Sequence, residues 1–250
     1  MRTVTEGIAD FLVMNKRTNE YGQPIGGAIP DWQPRALPQR MPLKGDYCVL
    51  EPLDPARHGG DLWRAYQAAT DGRQWTYMPV GPFADDTRFR AHLELAAGSP
   101  DPLHFAVVDR ATQRAVGTLA LMRMDPANGV IEVGHVAFSP ALQRTRAATE
   151  AQYLLMRLVF DELHYRRYEW KCDSLNAPSR QAAQRLGFQF EGVFRQAVVY
   201  KQRSRDTAWF SVIDSEWSVL RDAFVRWLAP GNFDGERQKA SLASLRSSAG

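Results

Sequence analysis

Three groups of residues in this 250-residue chain have the types and spacing to do chemistry. The first is Gln143-Arg144-Thr145-Arg146. It stands where an alternating, β-branched stretch, 130–138, gives way past Ser139-Pro140 to Ala148, Ala151, Leu154, Leu155, Leu158 and Val159 at spacings of three and four. The alternation predicts a strand, which Pro140 cannot continue, and the later spacing predicts one face of a helix. A helix start offers unpaired N–H groups and the positive end of a dipole, so this join is an anion site, and two arginines strengthen it. The second group, Asn176 and Ser179, opens another helix, where an Asn or Ser side chain accepts a backbone N–H and a serine hydroxyl can rotate to donate. The third is Glu132 and His135, the titratable side chains of the central strand. Alternation places Glu132 with Gly134 and Val136 on one face and His135 with Ile131 and Val133 on the other. Both reach one side only if a bulge intervenes, and Gly134 lies between them.

The elements around these groups follow from pattern. Tyr47 to Leu53 is a strand, Ala56 to Ala69 a helix, and Trp75 to Phe83 an aromatic loop broken by proline. A second helix runs from Thr87 to Ala97, and a hairpin pairs Leu103 to Asp109 with Ala115 to Met124. After the central strand and helix come a strand from Arg167 to Asp173 and a helix ending at Leu186 before Gly187, a common helix terminator. Two strands, Glu191 to Lys201 and Thr207 to Asp214, flank a turn read as solvated, Arg203 to Asp206. The last helix, Glu216 to Leu228, carries Trp217, Leu220, Phe224 and Trp227 as an apolar stripe. This order predicts a mixed α/β domain with helices on both faces. Residues 1–45, dense in glycine and proline, form an irregular N-terminal arm in which Tyr21 and Trp32 offer something to bury, and which serves folding or pocket shape rather than chemistry. Residues 46–231 are the domain, and the polar stretch 232–250 is expected to be a flexible tail.

Composition excludes several classes. With 44% hydrophobic residues the chain has the makings of a sizeable core. A net charge of +3, from 31 basic and 28 acidic residues, is too balanced for a nucleic-acid partner. Cys48 and Cys172 lie far apart in apolar runs, and neither they nor His58, His92, His104, His135 and His164 show metal-ligand spacing, so buried thiols, ordinary polar histidines and no metal are expected. No run approaches the ~18 apolar residues of a membrane span, and the N-terminus carries no secretory pattern, so no membrane partner and a cytoplasmic location are expected. The oligomeric state, homo-oligomer included, is left open.

The turn at 143–148, together with Asn176-Ala177-Pro178-Ser179 and Leu186-Gly187-Phe188, resembles the GNAT superfamily of acyl-CoA-dependent N-acetyltransferases, in the branch of the ribosomal-protein N-terminal (alanine/serine) acetyltransferases. The resemblance spans about 46–228. It implies a mostly antiparallel central sheet with one splayed parallel strand pair, between 130–138 and 167–173, into which the pantetheine arm of acetyl-CoA enters like an extra strand. By resemblance, Val136, Ala137 and Phe138 bind pantetheine, an amide near Val136 or Ala137 faces the thioester oxygen, and Gln143, Arg144, Thr145, Arg146, Ala147, Ala148 and Thr149 bind the pyrophosphate. Arg146 departs from the family's glycine, so its side chain must point away or contact the phosphate itself. Asn176 is placed on the cofactor and Ser179 at its sulfur, as proton donor. Trp75, Tyr77 and Phe83 wall the acceptor side. Glu132 is the favoured base, since a carboxylate can deprotonate an ammonium through water, with His135 behind it. The implied activity is direct acetyl transfer to a primary amine, a small molecule or a protein N-terminus. The alternative is a non-catalytic acyl-CoA-binding or interaction module on the same scaffold.

Overall fold

The structure is a computed structural model that describes residues 17–235 and 237–247. It divides into two compact units, the first ending at Pro34 and the second beginning at Arg35. In the first, β1 (Arg17–Thr18) pairs antiparallel with β2 (Pro24–Ile25). Asn19 shapes their turn, its side-chain oxygen accepting from the N–H groups of Tyr21 and Gln23, a local bond that suits Asn to turns. Tyr21 is 78% exposed and so is not the buried anchor expected of it. The arm expected over 1–45 falls partly outside the described residues.

The second unit runs β3 (Leu43–Lys44), β4 (Cys48–Pro52), α1 (Pro55–Gln67), α2 (Asp86–Gly98), β5 (Leu103–Asp109), β6 (Ala115–Asp125), β7 (Val130–Phe138), α3 (Arg146–Arg157), β8 (Arg167–Asp173), α4 (Ala177–Leu186), β9 (Gln189–Tyr200), β10 (Arg203–Ile213) and α5 (Asp214–Leu228). It ends with β11 (Phe233–Asp234), β12 (Arg237–Gln238) and α6 (Leu242–Ser247). Eight strands form one sheet in the order β3-β4-β5-β6-β7-β8-β10-β9. Each pairing in it is antiparallel except that of β7 with β8. One face packs Leu50, Phe105, Leu119, Ile131, Val133, Tyr168 and Phe210 against α3, α4 and α5. The other packs Leu53, Ala106 and Val108 against Leu62 and Tyr66 of α1 and Phe89 and Leu93 of α2.

Local chemistry fixes the elements beside the site. Thr145 caps α3 by accepting the Ala148 N–H on its hydroxyl, a contact worth about 1 kcal/mol. Glu150, buried on α3, accepts the N–H groups of Asp46, Tyr47 and Cys48 and so ties the helix to the start of β4. Gly45 is needed there, since a Cβ would lie 2.3 Å from the Glu150 carboxyl. Gly187, with φ 103°, ends α4 as the sequence pattern expects.

Three boundaries differ from expectation. Leu43 and Lys44, assigned to the arm, are the edge strand of the main sheet and pair with Leu50 and Val49; two residues between Pro42 and Gly45 carry no readable alternation. The turn between β9 and β10 is Lys201-Gln202, both at positive φ, so Arg203 already belongs to β10 and donates to the Thr76 carbonyl at 2.6 Å. The stretch after α5 is folded where a flexible tail is expected. Leu242 is only 2% exposed, Trp227 donates to Gln238, and Arg246 caps the end of α4 through the Arg185 carbonyl at 3.0 Å. The polar composition hid these three anchoring residues.

Candidate active site

The parallel pair β7 and β8 opens partway along its length. Val130, Ile131, Glu132 and Val133 pair with Arg167, Tyr168, Glu169 and Trp170, and the register stops there. Beyond it β7 follows β6, with Ala137 opposite Thr118 and Phe138 opposite Gly117, while β8 follows β10 to Asp173. The mutually facing edges past Val133 and Trp170 therefore lack strand partners among the described residues. The cause is a bulge. Gly134 pairs with Ala120 and Ala137 with Thr118, so His135 and Val136 oppose the single residue Leu119. His135 sits at φ 49°, a left-handed conformation that costs free energy in a non-glycine residue and is concentrated at functional sites. A bulge bends its strand and re-aims a side chain. Here the His135 ring lies 5.0 Å, centroid to centroid, from that of His104 on β5. His104 alternates with the core residues Leu103 and Phe105, so both imidazoles face the α1–α2 side. That is also the side of Glu132 and Gly134, whose hypothetical Cβ would lie 3.9 Å from a Glu132 oxygen.

The residues expected around acetyl-CoA fall on the opened edge and on the adjoining turn. The Ala137 carbonyl accepts from the Tyr66 hydroxyl at 2.9 Å, and the Phe138 carbonyl from the Gln143 side chain at 2.8 Å. Gln143 thus braces the strand end. Arg144 has φ 64°, and a left-handed residue beside a helix start turns successive N–H groups into an anion-binding concavity. Arg146 points away from that turn: its guanidinium lies over the rings of Tyr47 and Phe233, 5.1 and 4.4 Å from their centroids, and donates to the Gly235 carbonyl. The usual objection to a side chain at the glycine position is therefore removed, because this one is held elsewhere. Ala147 is buried with its carbonyl facing the Cys48 thiol, Ala148 receives the Thr145 cap, and the Thr149 hydroxyl accepts from Arg185 at 3.2 Å.

At the end of β8, Asn176 caps α4 by accepting the Ser179 N–H. The Ser179 oxygen accepts from the Trp170 indole at 3.0 Å, which leaves its proton to be donated. Burial raises the Cys172 pKa, against a smaller opposing effect of Ser179, so Cys172 stays protonated. Cys48 is likewise held as a thiol, chiefly by burial and secondarily by Glu150.

Glu132 and His135 have unlike surroundings. Glu132 is 5% exposed, 2.9 Å from Lys171 Nζ and 3.4 Å from Arg123. Lys171 also meets Glu169 at 2.7 Å and sits 3.7 Å above the Trp209 ring. Arg167 links Glu169 to Glu191, which accepts from Ser211. Burial pushes the Glu132 pKa up, against the pull of Lys171. His135 faces no acid at bonding distance among the described residues; with His92, His104, Tyr66, Thr118 and Ala137 it lines a cavity of about 20 Å³. Burial lowers the pKa of all three histidines, that of His104 to about 4 with further contributions from His135, His92 and Arg40. All three are neutral imidazoles at pH 7.

Of the acceptor-side residues, Trp75 is buried against Tyr66 and lines the same cavity, and Phe83 packs on Trp75 and His92. Tyr77 reaches across to the Leu175 carbonyl at 3.2 Å, and Lys201 to the Trp75 carbonyl at 2.7 Å. The loop after α1 is thereby latched to β8–α4 and to the β9–β10 turn. Sequence reasoning passed over His104, Tyr66 and Trp170. The legible signal was a histidine in an otherwise apolar strand, Leu-His-Phe-Ala-Val-Val. No group of three or more His, Cys, Asp or Glu among the described residues is arranged to hold a metal. No helix among them is long and apolar enough to cross a membrane.

A split parallel pair leading into a capped, arginine-flanked helix start is the architecture of one acyltransferase class. The model of the acetyltransferase (GNAT) domain matches residues 49–189, and the chain belongs to this family. Among solved structures, it is similar to a GCN5-related N-acetyltransferase from Brucella melitensis, with TM-score 0.86 and 49% identity, covering 88% of this chain and 100% of that one. It is also similar to a probable GNAT-family acetyltransferase from Chromobacterium violaceum ATCC 12472, with TM-score 0.73 and 43% identity over 78% and 98% of the two chains. Among curated proteins, "Uncharacterized N-acetyltransferase p20" of Bacillus licheniformis is 28% identical over 149 residues, 57% of this chain and 81% of that one.

Proposed function

We propose that this GNAT-family protein moves the acetyl group of acetyl-CoA to a primary amine, on a small molecule or a protein N-terminus, by direct transfer in a ternary complex in the cytoplasm. The observation that carries the reading is the end of the β7–β8 register at Val133–Trp170, one helix start away from Arg144. Acetyl-CoA, when bound, supplies an activated acyl carbon and a thiolate leaving group. The opened edge of Val136–Phe138 suits an extended pantetheine arm, and the turn 143–149 suits a pyrophosphate. Ser179 holds a proton for the departing sulfur, and its bond from Trp170 fixes the hydroxyl oxygen. Trp75, Tyr77 and Phe83 form the wall on the acceptor's side.

The test is thiol release from acetyl-CoA against a panel of polyamines, aminoglycosides and peptides with free alanine or serine N-termini, with CoA binding followed by calorimetry. Turnover of at least one amine, and CoA binding that Arg144→Glu weakens about tenfold, are expected. CoA binding without turnover of any amine would favour the non-catalytic module, and no CoA binding would overturn both readings.

A further inference from the structure

Glu132 and His135 face the same side of the sheet three residues apart, and their surroundings divide the work between them. A general base must be able to accept a proton and must be reachable by the group that gives it. The Glu132 carboxylate is drawn into ion pairs: Lys171 and Arg123 converge on its Oε2, and Lys171 is itself shared with Glu169. Glu132 is also buried, whereas His135 is partly exposed and so easier for an acceptor to reach. His135 has no such engagement among the described residues. The bulge puts it beside the opened strand edge, next to Val136, and its ring meets His104 edge-on across the small cavity.

We propose that His135 is the catalytic base of this chain and that His104 is its positioning residue, while Glu132 belongs to the structural charge network. The proposal rests on the acetyl-transfer reading above. The ammonium of the acceptor gives one proton to the neutral imidazole of His135, directly or through a water. The amine nitrogen then forms the new C–N bond as the C–S bond breaks. The second nitrogen proton ends on the sulfur as free thiol, and the His135 imidazolium returns its proton to solvent, so the sum is acetyl-CoA and ammonium to amide, CoA thiol and one proton. A cavity of about 20 Å³ has room for a single water. His104, Tyr66 and Thr118 supply the polar partners such a water needs. The charged and titratable groups facing the pair are His92 from α2, Tyr66 from α1, Arg40 from the segment before β3, and Glu132 from β7 itself. No carboxylate among the described residues lies at bonding distance to stabilise an imidazolium. Charging His135 opposes charging His104, whose pKa is already pushed down to about 4, so His104 stays neutral while His135 carries the proton.

Two measurements decide. The first is the pH dependence of kcat/KM, from pH 5 to 9, for the acceptor with the highest turnover in the amine panel. Wild type is expected to lose activity below an inflection under the ordinary histidine value of 6.5. His135→Asn should cost 100-fold or more in kcat and abolish that inflection, with CoA affinity unchanged; a general base is worth about 10²–10⁴. His104→Phe should lower kcat several-fold while keeping the inflection, and His104→Gln should restore most of the loss. Glu132→Gln should keep both rate and inflection. The second measurement is histidine NMR on the whole chain, which needs no acceptor and separates this proposal from the acetyl-transfer reading. It should show His135 and His104 neutral at pH 7, with His135 protonated first on acidification. An inflection that survives in His135→Asn but vanishes in Glu132→Gln, or a His135 already protonated at pH 7, overturns the assignment.

Discussion

The two halves of β7 do opposite things with the same backbone. Val130 to Val133 have neighbours on both sides, β6 and β8, and their one charged side chain, Glu132, is tied to Lys171 and Arg123. Gly134 to Phe138 keep β6 alone, pass through a left-handed residue, and carry a neutral imidazole beside a cavity. A sheet gains stability by pairing every edge, and a buried charge by finding counter-charges. The first half follows both rules. The second departs from both, and such departures belong where a ligand or a reaction is to supply what the fold leaves out.

The largest break in this comparison should come from the closed half. Lys171→Met removes the cation between Glu132 and Glu169, both buried, and is expected to cost about 3 kcal/mol, read as a lower urea midpoint. A midpoint within error of wild type would mean that Arg123 and Arg167 suffice. A smaller effect sharpens the comparison through pH. Burial holds the Glu132 pKa above its ordinary 4.5, so the folded chain binds that proton more tightly than the unfolded chain does. Its contribution to stability is present below pH 4.5 and is lost as pH rises through the folded value. Glu132→Gln lacks this loss, so its stability relative to wild type should rise between pH 4.5 and 7. Denaturant melts at a series of pH values check this, and a falling difference would mean that the Lys171 pairing outweighs burial.

Much of this architecture was readable in the residues because its elements obey strong local rules. The limits of β7 and β8, the Thr145 and Asn176 starts of α3 and α4, and the Gly187 stop all come from alternation, capping and glycine chemistry. What stayed hidden depends on contacts between distant segments. Gln143 folds back on Phe138, Arg146 is drawn off by Tyr47 and Phe233, and Leu242 anchors a stretch that composition marks as tail. The face of His135 was ambiguous for a related reason. Alternation alone sends it toward Ile131 and Val133, and only the bulge returns it to the side of Glu132, where it meets His104, thirty-one positions earlier in the chain.

The central claim is that the opened half of β7 is completed by the pantetheine arm of acetyl-CoA. Backbone amide hydrogen exchange along β7, with and without acetyl-CoA, tests it directly. The bound state should protect amides within Gly134–Phe138 at least tenfold and leave Val130–Val133, already paired on both sides, unchanged. Protection absent from 134–138, or spread evenly along the strand, would contradict it.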